Sequence, residues 1–149
     1  MRDYKKLDVW NIGREINKEV YLLTGKFPRD EIFALINQMR RASISVISNI
    51  GEGCSCDSNK EFIHYLRISM GSVKELECQF YAALDVGYIN KVGFDKVMRE
   101  LDKLGKKLWK YIDYLKRGNK KASPFRGVGI GGVGVSETLA TKDEEINGK

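Results

Sequence analysis

The stretch from Gln38 to Glu77 constrains the fold most, because it holds two long helical runs joined around Cys54-Ser55-Cys56-Asp57-Ser58. The first carries Gln38-Met39-Arg40-Arg41-Ala42-Ser43 and then Asn49-Ile50-Gly51-Glu52-Gly53; the second runs from Phe62 to Glu77. In both, large apolar residues recur at helical spacing, with Ala, Ser and Gly on adjoining positions. Small residues let two helix axes approach closely while large ones fill the space between them. The pattern is one of helix–helix packing rather than of a catalytic site.

The flanking segments extend the same logic. A first helix is expected from about Leu7 to Leu23, with Val9, Ile12, Ile16, Val20 and Leu23 on one narrow stripe. Leu7, Trp10 and Tyr21 fall together roughly 120° from that stripe. They are either a subunit contact or a widened core face. Residues 1–6 read as a short arm. Gly25 suits the end of the first helix and Pro28 the start of the second. The second helix is expected to reach Gly53, with Asp30 and Glu31 in its first turn and an apolar rhythm of Ile32, Leu35/Ile36, Met39, Ala42/Ser43, Val46 and Ile50.

Ser58, with Glu61 three residues on, predicts a capping box. The third helix, about Asn59 to Val86, carries Phe62, Leu66, Ser69, Val73, Leu76, Phe80 and Ala83 in heptad spacing. A short connection makes the second and third helices antiparallel neighbours. Reflection about residue 56 predicts Glu52 near Lys60 and an Arg41–Glu75 contact. Gly87 to Asn90 breaks the third helix. The fourth, about Phe94 to Lys116, places Val97, Leu101, Leu104, Leu108, Tyr111, Ile112 and Leu115 in one arc, and Gly118 is expected to stop it.

These elements predict an all-α fold: an antiparallel, up-down-up-down, left-handed four-helix bundle over residues 1–118. Residues 119–149 read as a Gly-rich and polar disordered tail. The glycine run at 127–134 follows no strand and ends in no Gly-Lys-Ser/Thr, so it is not read as a phosphate loop.

The central stretch also carries a resemblance. Gln-x-Arg-Arg-Ala-x-x-Ser from Gln38, Ser-Asn-Ile-x-Glu-Gly from Ser48 and Gly-Ser-x-x-Glu-Leu-Glu from Gly71 are similar, in that order, to the four-helix bundle family known as 23S rRNA intervening-sequence proteins. The similarity spans about Tyr4 to Leu115. Two positions depart from the family: Ile47, where it often has proline, and Gly51, where it usually has alanine. Without the proline a straighter second helix is expected. The resemblance implies oligomerisation, with relatives that look like ring-shaped homopentamers. The family's name records a gene position inside rRNA intervening sequences and not an activity.

Bulk properties narrow the setting. No apolar run approaches the ~20 residues that span a bilayer, so no membrane partner is expected. The start of the chain is charged and lacks the apolar core of a signal peptide, which points to the cytoplasm. Three cysteines form an odd count without framework spacing, which suits a reducing compartment. A net charge of +6 is compatible with a polyanion partner.

The basic signal concentrates on the fourth helix. Lys96, Arg99, Lys103, Lys106, Lys107, Lys110 and Arg117 project into one arc of roughly 100°, away from the apolar arc, and Tyr114 lies among them. Such a stripe either binds phosphates by counterion release, with Tyr114 offering a stacking face, or is a solvated helix surface. Arg40, Arg41, Asn49, Glu52 and Glu75 read as an interhelical polar network that sets register, or as a ligand site. Cys54, Cys56, His64 and Cys78 cannot converge on one metal, since Cys78 stands about four turns from His64. No cofactor or small-molecule substrate is expected. A Cys–His pair without an orienting third residue does not make a nucleophile, so no enzyme is read here.

Three functions follow as expectations. The first is a non-catalytic oligomer that binds RNA or scaffolds a nucleoprotein complex, with Leu7, Trp10, Tyr21 and Trp109 as candidate subunit contacts. The second, implied by resemblance, is an accessory subunit of a diversity-generating retroelement, holding a reverse transcriptase and its template RNA. The third is a protein-only adaptor for an acidic partner.

Overall fold

The computed structural model describes residues 1–126, with side chains through residue 118. Four helices account for most of it: α1 (Asp8–Thr24), α2 (Leu35–Cys54), α3 (Asn59–Asp85) and α4 (Lys91–Arg126). The chain divides into two compact units, Met1–Lys116 and Arg117–Lys149. Among the described residues no helix is long and apolar enough to cross a membrane.

Side-chain pairs show that the helices alternate in direction. Between α1 and α2, the Ser43 hydroxyl donates to Asn17 at 2.8 Å and Arg40 Nε donates to the Thr24 hydroxyl at 3.0 Å. Between α2 and α3, Ser45 and Ser72 share a hydrogen bond of 2.8 Å and Tyr65 donates to Glu52 at 3.3 Å. The Phe62–Tyr111 and Tyr81–Phe94 ring contacts order α3 against α4. In each pair a later residue on one helix meets an earlier one on its neighbour. The result is an antiparallel four-helix bundle.

The expected heptads of α3 and apolar arc of α4 form the core, with Tyr111 of that arc only partly buried at its edge. Phe62, Leu66, Ser69, Val73, Leu76, Phe80 and Ala83 are all buried, as are Val97, Leu101, Leu104, Leu108, Ile112 and Leu115. Small residues work where helices approach most closely. A β-carbon on Gly13 would stand 2.9 Å from Ile47, and one on Gly53 would stand 2.7 Å from the Phe62 ring. The Ser69 hydroxyl reaches across to the Val46 carbonyl at 2.9 Å, so this buried polar group is satisfied between helices.

Several boundaries differ from the sequence reading. α2 begins at Leu35, because residues 29–31 form a 3-10 turn instead of its first turn. Glu31 therefore stands outside the helix, where its carboxylate accepts from the Leu35 amide at 3.2 Å. Phe27 fills the core from this connection, while Ile32, expected inside, is half exposed. Gly25 remains in the right-handed helical region. The left-handed glycine is instead Gly87, at φ +79°. Its amide donates to Leu84 and that of Tyr88 to Ala83, the paired bonds of a Schellman ending for α3.

At the start of α3, the Ser58 hydroxyl accepts from the Glu61 amide at 3.2 Å, as a capping residue should. α4 starts at Lys91, earlier than expected, with Asn90 accepting from the Gly93 amide at 2.8 Å. It also passes through Gly118 to Arg126. One glycine costs a helix only about 1 kcal/mol, so Gly118 alone does not end it. The glycine run and polar segment expected at 127–149 lie outside the described residues.

Residues 1–6 are not a free arm. A 3-10 turn at Tyr4–Lys6 folds the segment back onto the α2–α3 connection. The Arg2 amide donates to the Cys54 carbonyl, and its guanidinium donates to the Cys56 carbonyl and to Asn59. That guanidinium also sits 4.5 Å above the Phe62 ring.

Candidate nucleic-acid interface

The basic residues of α4 share the outward face that borders α1. Lys96, Lys103 and Lys110 recur every seven residues, so they stack in line along the helix. Lys96, Arg99, Lys103, Lys106, Lys110 and Arg117 are exposed and Lys107 is half-buried. Three of them meet carboxylates: Lys96 with Glu19 at 3.7 Å, Lys106 with Asp102 at 2.7 Å and Lys107 with Asp8 at 3.3 Å. Arg99, Lys103 and Lys110 make no ion pair among the described residues. Exposed pairs of this kind contribute about 0–1 kcal/mol, so a phosphate can compete for those lysines.

Tyr114 stands on the same face with 70% of its surface open. Its ring lies nearly parallel to that of Tyr111, at 21° and 6.5 Å between centroids. Tyr111 meets the fully buried Phe62 ring edge-on at 5.6 Å, which ties this surface to the core. Burial holds the Tyr111 phenol above its ordinary pKa, against the lowering effect of the nearby Arg2 charge.

Beside these rings a groove of about 400 Å³ is lined by Lys6, Leu7, Asp8, Val9, Lys107, Lys110 and Tyr111. Lys6 is the addition that sequence reasoning missed. It belongs to a charged opening segment without periodicity, so nothing in the sequence placed it against α4. Only the folding back of residues 1–6 brings Lys6 to this groove.

The five polar residues expected to form one network are dispersed. Arg40 does face a neighbouring helix, but its partners are Thr24 and the Tyr21 ring, 4.5 Å from its guanidinium carbon. Arg41 is exposed and makes no contact with Glu75, which accepts from Gln79 at 3.3 Å on its own helix. Successive helical residues diverge by 100°, so Arg40 and Arg41 cannot both face inward. Asn49 donates to Ser45 within α2. Glu52 accepts from Tyr65 and not from Lys60, because the connection shifts the register of α3 by more than one turn. Hydroxyls from Ser43, Ser45, Ser69 and Ser72 add interhelical bonds to those of Arg40 and Glu52.

The candidate subunit contacts separate into two kinds. Leu7 and Trp10 are half-buried and packed against the core of their own chain. Trp10 meets Tyr4 edge-on at 4.8 Å and carries the Arg14 guanidinium over its ring. Trp109 is 62% exposed and projects about 100° from the centre of the basic stripe. Tyr21 is exposed at its edge beneath Arg40.

Residues 5–110 match the model of a family described as 23S rRNA-intervening sequence protein. Among solved structures, the chain is similar to a protein described as having unknown function, from the S23 ribosomal protein family of Bacteroides thetaiotaomicron VPI-5482. The two are 22% identical with a TM-score of 0.64, over 70% of this chain and 97% of that one. At this identity the likeness bears on the fold. No curated protein matches the sequence.

Proposed function

The chain belongs to the 23S rRNA-intervening sequence protein family, and from that premise we propose that it is a non-catalytic oligomeric bundle that binds RNA, or scaffolds an RNA–protein complex, through the basic face of α4. The observation that carries this reading is the row of Lys103, Lys110 and Arg99, exposed and without ion pairs among the described residues, along a helix anchored by its opposite face. A row of cations carried on a fixed helix binds a phosphate backbone by releasing its counterions, with ordering confined to the side chains. An oligomer would repeat the row. The free thiols of Cys54, Cys56 and Cys78 accord with a reducing cytoplasm.

Light-scattering mass, measured with and without an RNA containing stems and loops, tests the proposal. An oligomer that gains RNA mass at low salt and loses it at high salt supports it. An oligomer that ignores RNA but binds an acidic protein would replace it with the adaptor reading. Retention of both an RNA and a reverse transcriptase would narrow it to a retroelement accessory subunit, and a monomer would remove the oligomeric part.

A further inference from the structure

We infer that this face selects RNA with unpaired bases, stacking one base on Tyr114 while the adjoining phosphates lie along Lys107, Lys110 and Lys6. The inference rests on the reading of the α4 face as an RNA-binding surface and adds which RNA it takes.

A row of cations alone does not discriminate, since duplex and single strand both present phosphates. The aromatic ring changes that. In an A-form duplex each base is covered by its neighbours in the stack, and the deep major groove excludes side chains. Only a splayed-out base offers a free face, and base–aromatic stacking is tolerant of base identity. Tyr114 has the exposure for this role, with most of its surface open.

It is also supported from beneath. The near-parallel Tyr111 ring backs it, and Tyr111 is held edge-on against Phe62, which is fully buried and capped by the Arg2 guanidinium. A backed ring forfeits less freedom on binding than a lone surface tyrosine would. The phosphate groups have a place one turn away. Lys110 precedes Tyr114 by four residues, and the groove that Lys110 lines with Lys6 and Lys107 has room for backbone, at about 400 Å³. Asp8, the one carboxylate in that groove, is paired with Lys107 at 3.3 Å, and Lys6 and Lys110 leave the groove net positive toward an incoming anion. An acidic peptide would engage the same lysines and leave the ring unused.

Fluorescence anisotropy on the full chain tests this with two probes, a labelled oligouridylate, whose bases stay unstacked, and a blunt RNA duplex of equal length, at one salt concentration. Wild type should bind the single strand more tightly. Tyr114→Leu should weaken single-strand binding by about 5- to 150-fold, the worth of one base–aromatic stack, and leave duplex binding unchanged. Tyr114→Phe should retain wild-type affinity, and Lys110→Gln should weaken both probes. A preference for duplex, or a Tyr114→Leu effect that is equal on both probes or absent, would overturn the inference while the basic-face reading stands. Binding of neither probe would remove the reading beneath it. Tyr114 is exposed, so its substitution leaves the core intact.

Discussion

The Tyr88 hydroxyl donates to the Glu31 carboxylate at 2.9 Å, joining the α1–α2 connection to the α3–α4 turn across 57 residues of sequence. The same carboxylate accepts from the Leu35 amide, so one side chain starts α2 and ties two loops together. Phe27 packs against the Tyr88 ring at 5.4 Å and completes the closure of this end of the bundle.

Alkaline pH should loosen that end. The hydrogen bond to Glu31 is the main cause that raises the Tyr88 pKa, with burial and the carboxylate charge adding to it. The folded state therefore holds this proton more tightly than the unfolded chain. Its contribution is fully present below a pH of about 10 and is lost as pH rises through the raised folded value. Tyr65, raised chiefly by the Glu52 charge, and Tyr111, raised by burial, act in the same direction. Thermal melts across alkaline pH should show Tyr88→Phe starting a few degrees lower at neutral pH and losing less than wild type as pH climbs. Parallel curves would refute this assignment.

Two glycines two residues apart should respond oppositely to alanine. At Gly53 the new methyl would meet Phe62 at 2.7 Å and Tyr65 at 2.8 Å, whereas at Gly51 it meets nothing within 4 Å. Gly53→Ala should destabilise by about 1–3 kcal/mol through overpacking. Gly51→Ala should stabilise by about 0.5–1 kcal/mol by restricting the unfolded chain. Urea titration of the two variants measures both, and equal signs would contradict the packing described.

RNA affinity should fall steeply with salt, with a log–log slope of about −0.7 per phosphate contact on a single strand. Replacing Lys103 and Lys110 together by Gln should make the slope shallower by about 1.4. Salt titration by anisotropy gives this directly. A slope identical to wild type would take those two lysines out of the interface.

Trp109 is the better probe of assembly. Trp10 packs against its own chain, so Trp10→Ala would disturb the opening segment as well as any subunit contact. Trp109→Ser removes an exposed indole and should lower the light-scattering mass if that flank meets another copy. An unchanged mass excludes Trp109 from the contact.

Much of the architecture was legible because helical periodicity is a local property. The α3 heptads and the α4 apolar arc could be assigned by spacing alone, and their buried side chains in the structure match that assignment. The basic stripe was legible for the same reason, since the opposite face of an amphipathic helix follows once the core face is known. The start of α2 was less so. Asp30 and Glu31 fit a helical first turn by composition, but Glu31 serves Leu35 and Tyr88 from a 3-10 turn. Local preference is weak enough there for tertiary contacts to override it.

Amino-acid order alone specifies which faces of the helices are apolar, where Gly87 and Ser58 bound α3, and which face of α4 carries charge. Those follow from 100° per residue and from capping chemistry, neither of which needs a neighbour. Packing between helices sets the rest: Arg40 meets Thr24 while Arg41 meets solvent, Glu52 pairs with Tyr65, and Lys6 lines one groove with Lys107 and Lys110. An apolar stripe is nearly unchanged when one helix slides along another, so periodicity carries no register. Register came from the interlocking of Gly13 with Ile47 and Gly53 with Phe62, contacts that exist only once the helices are packed.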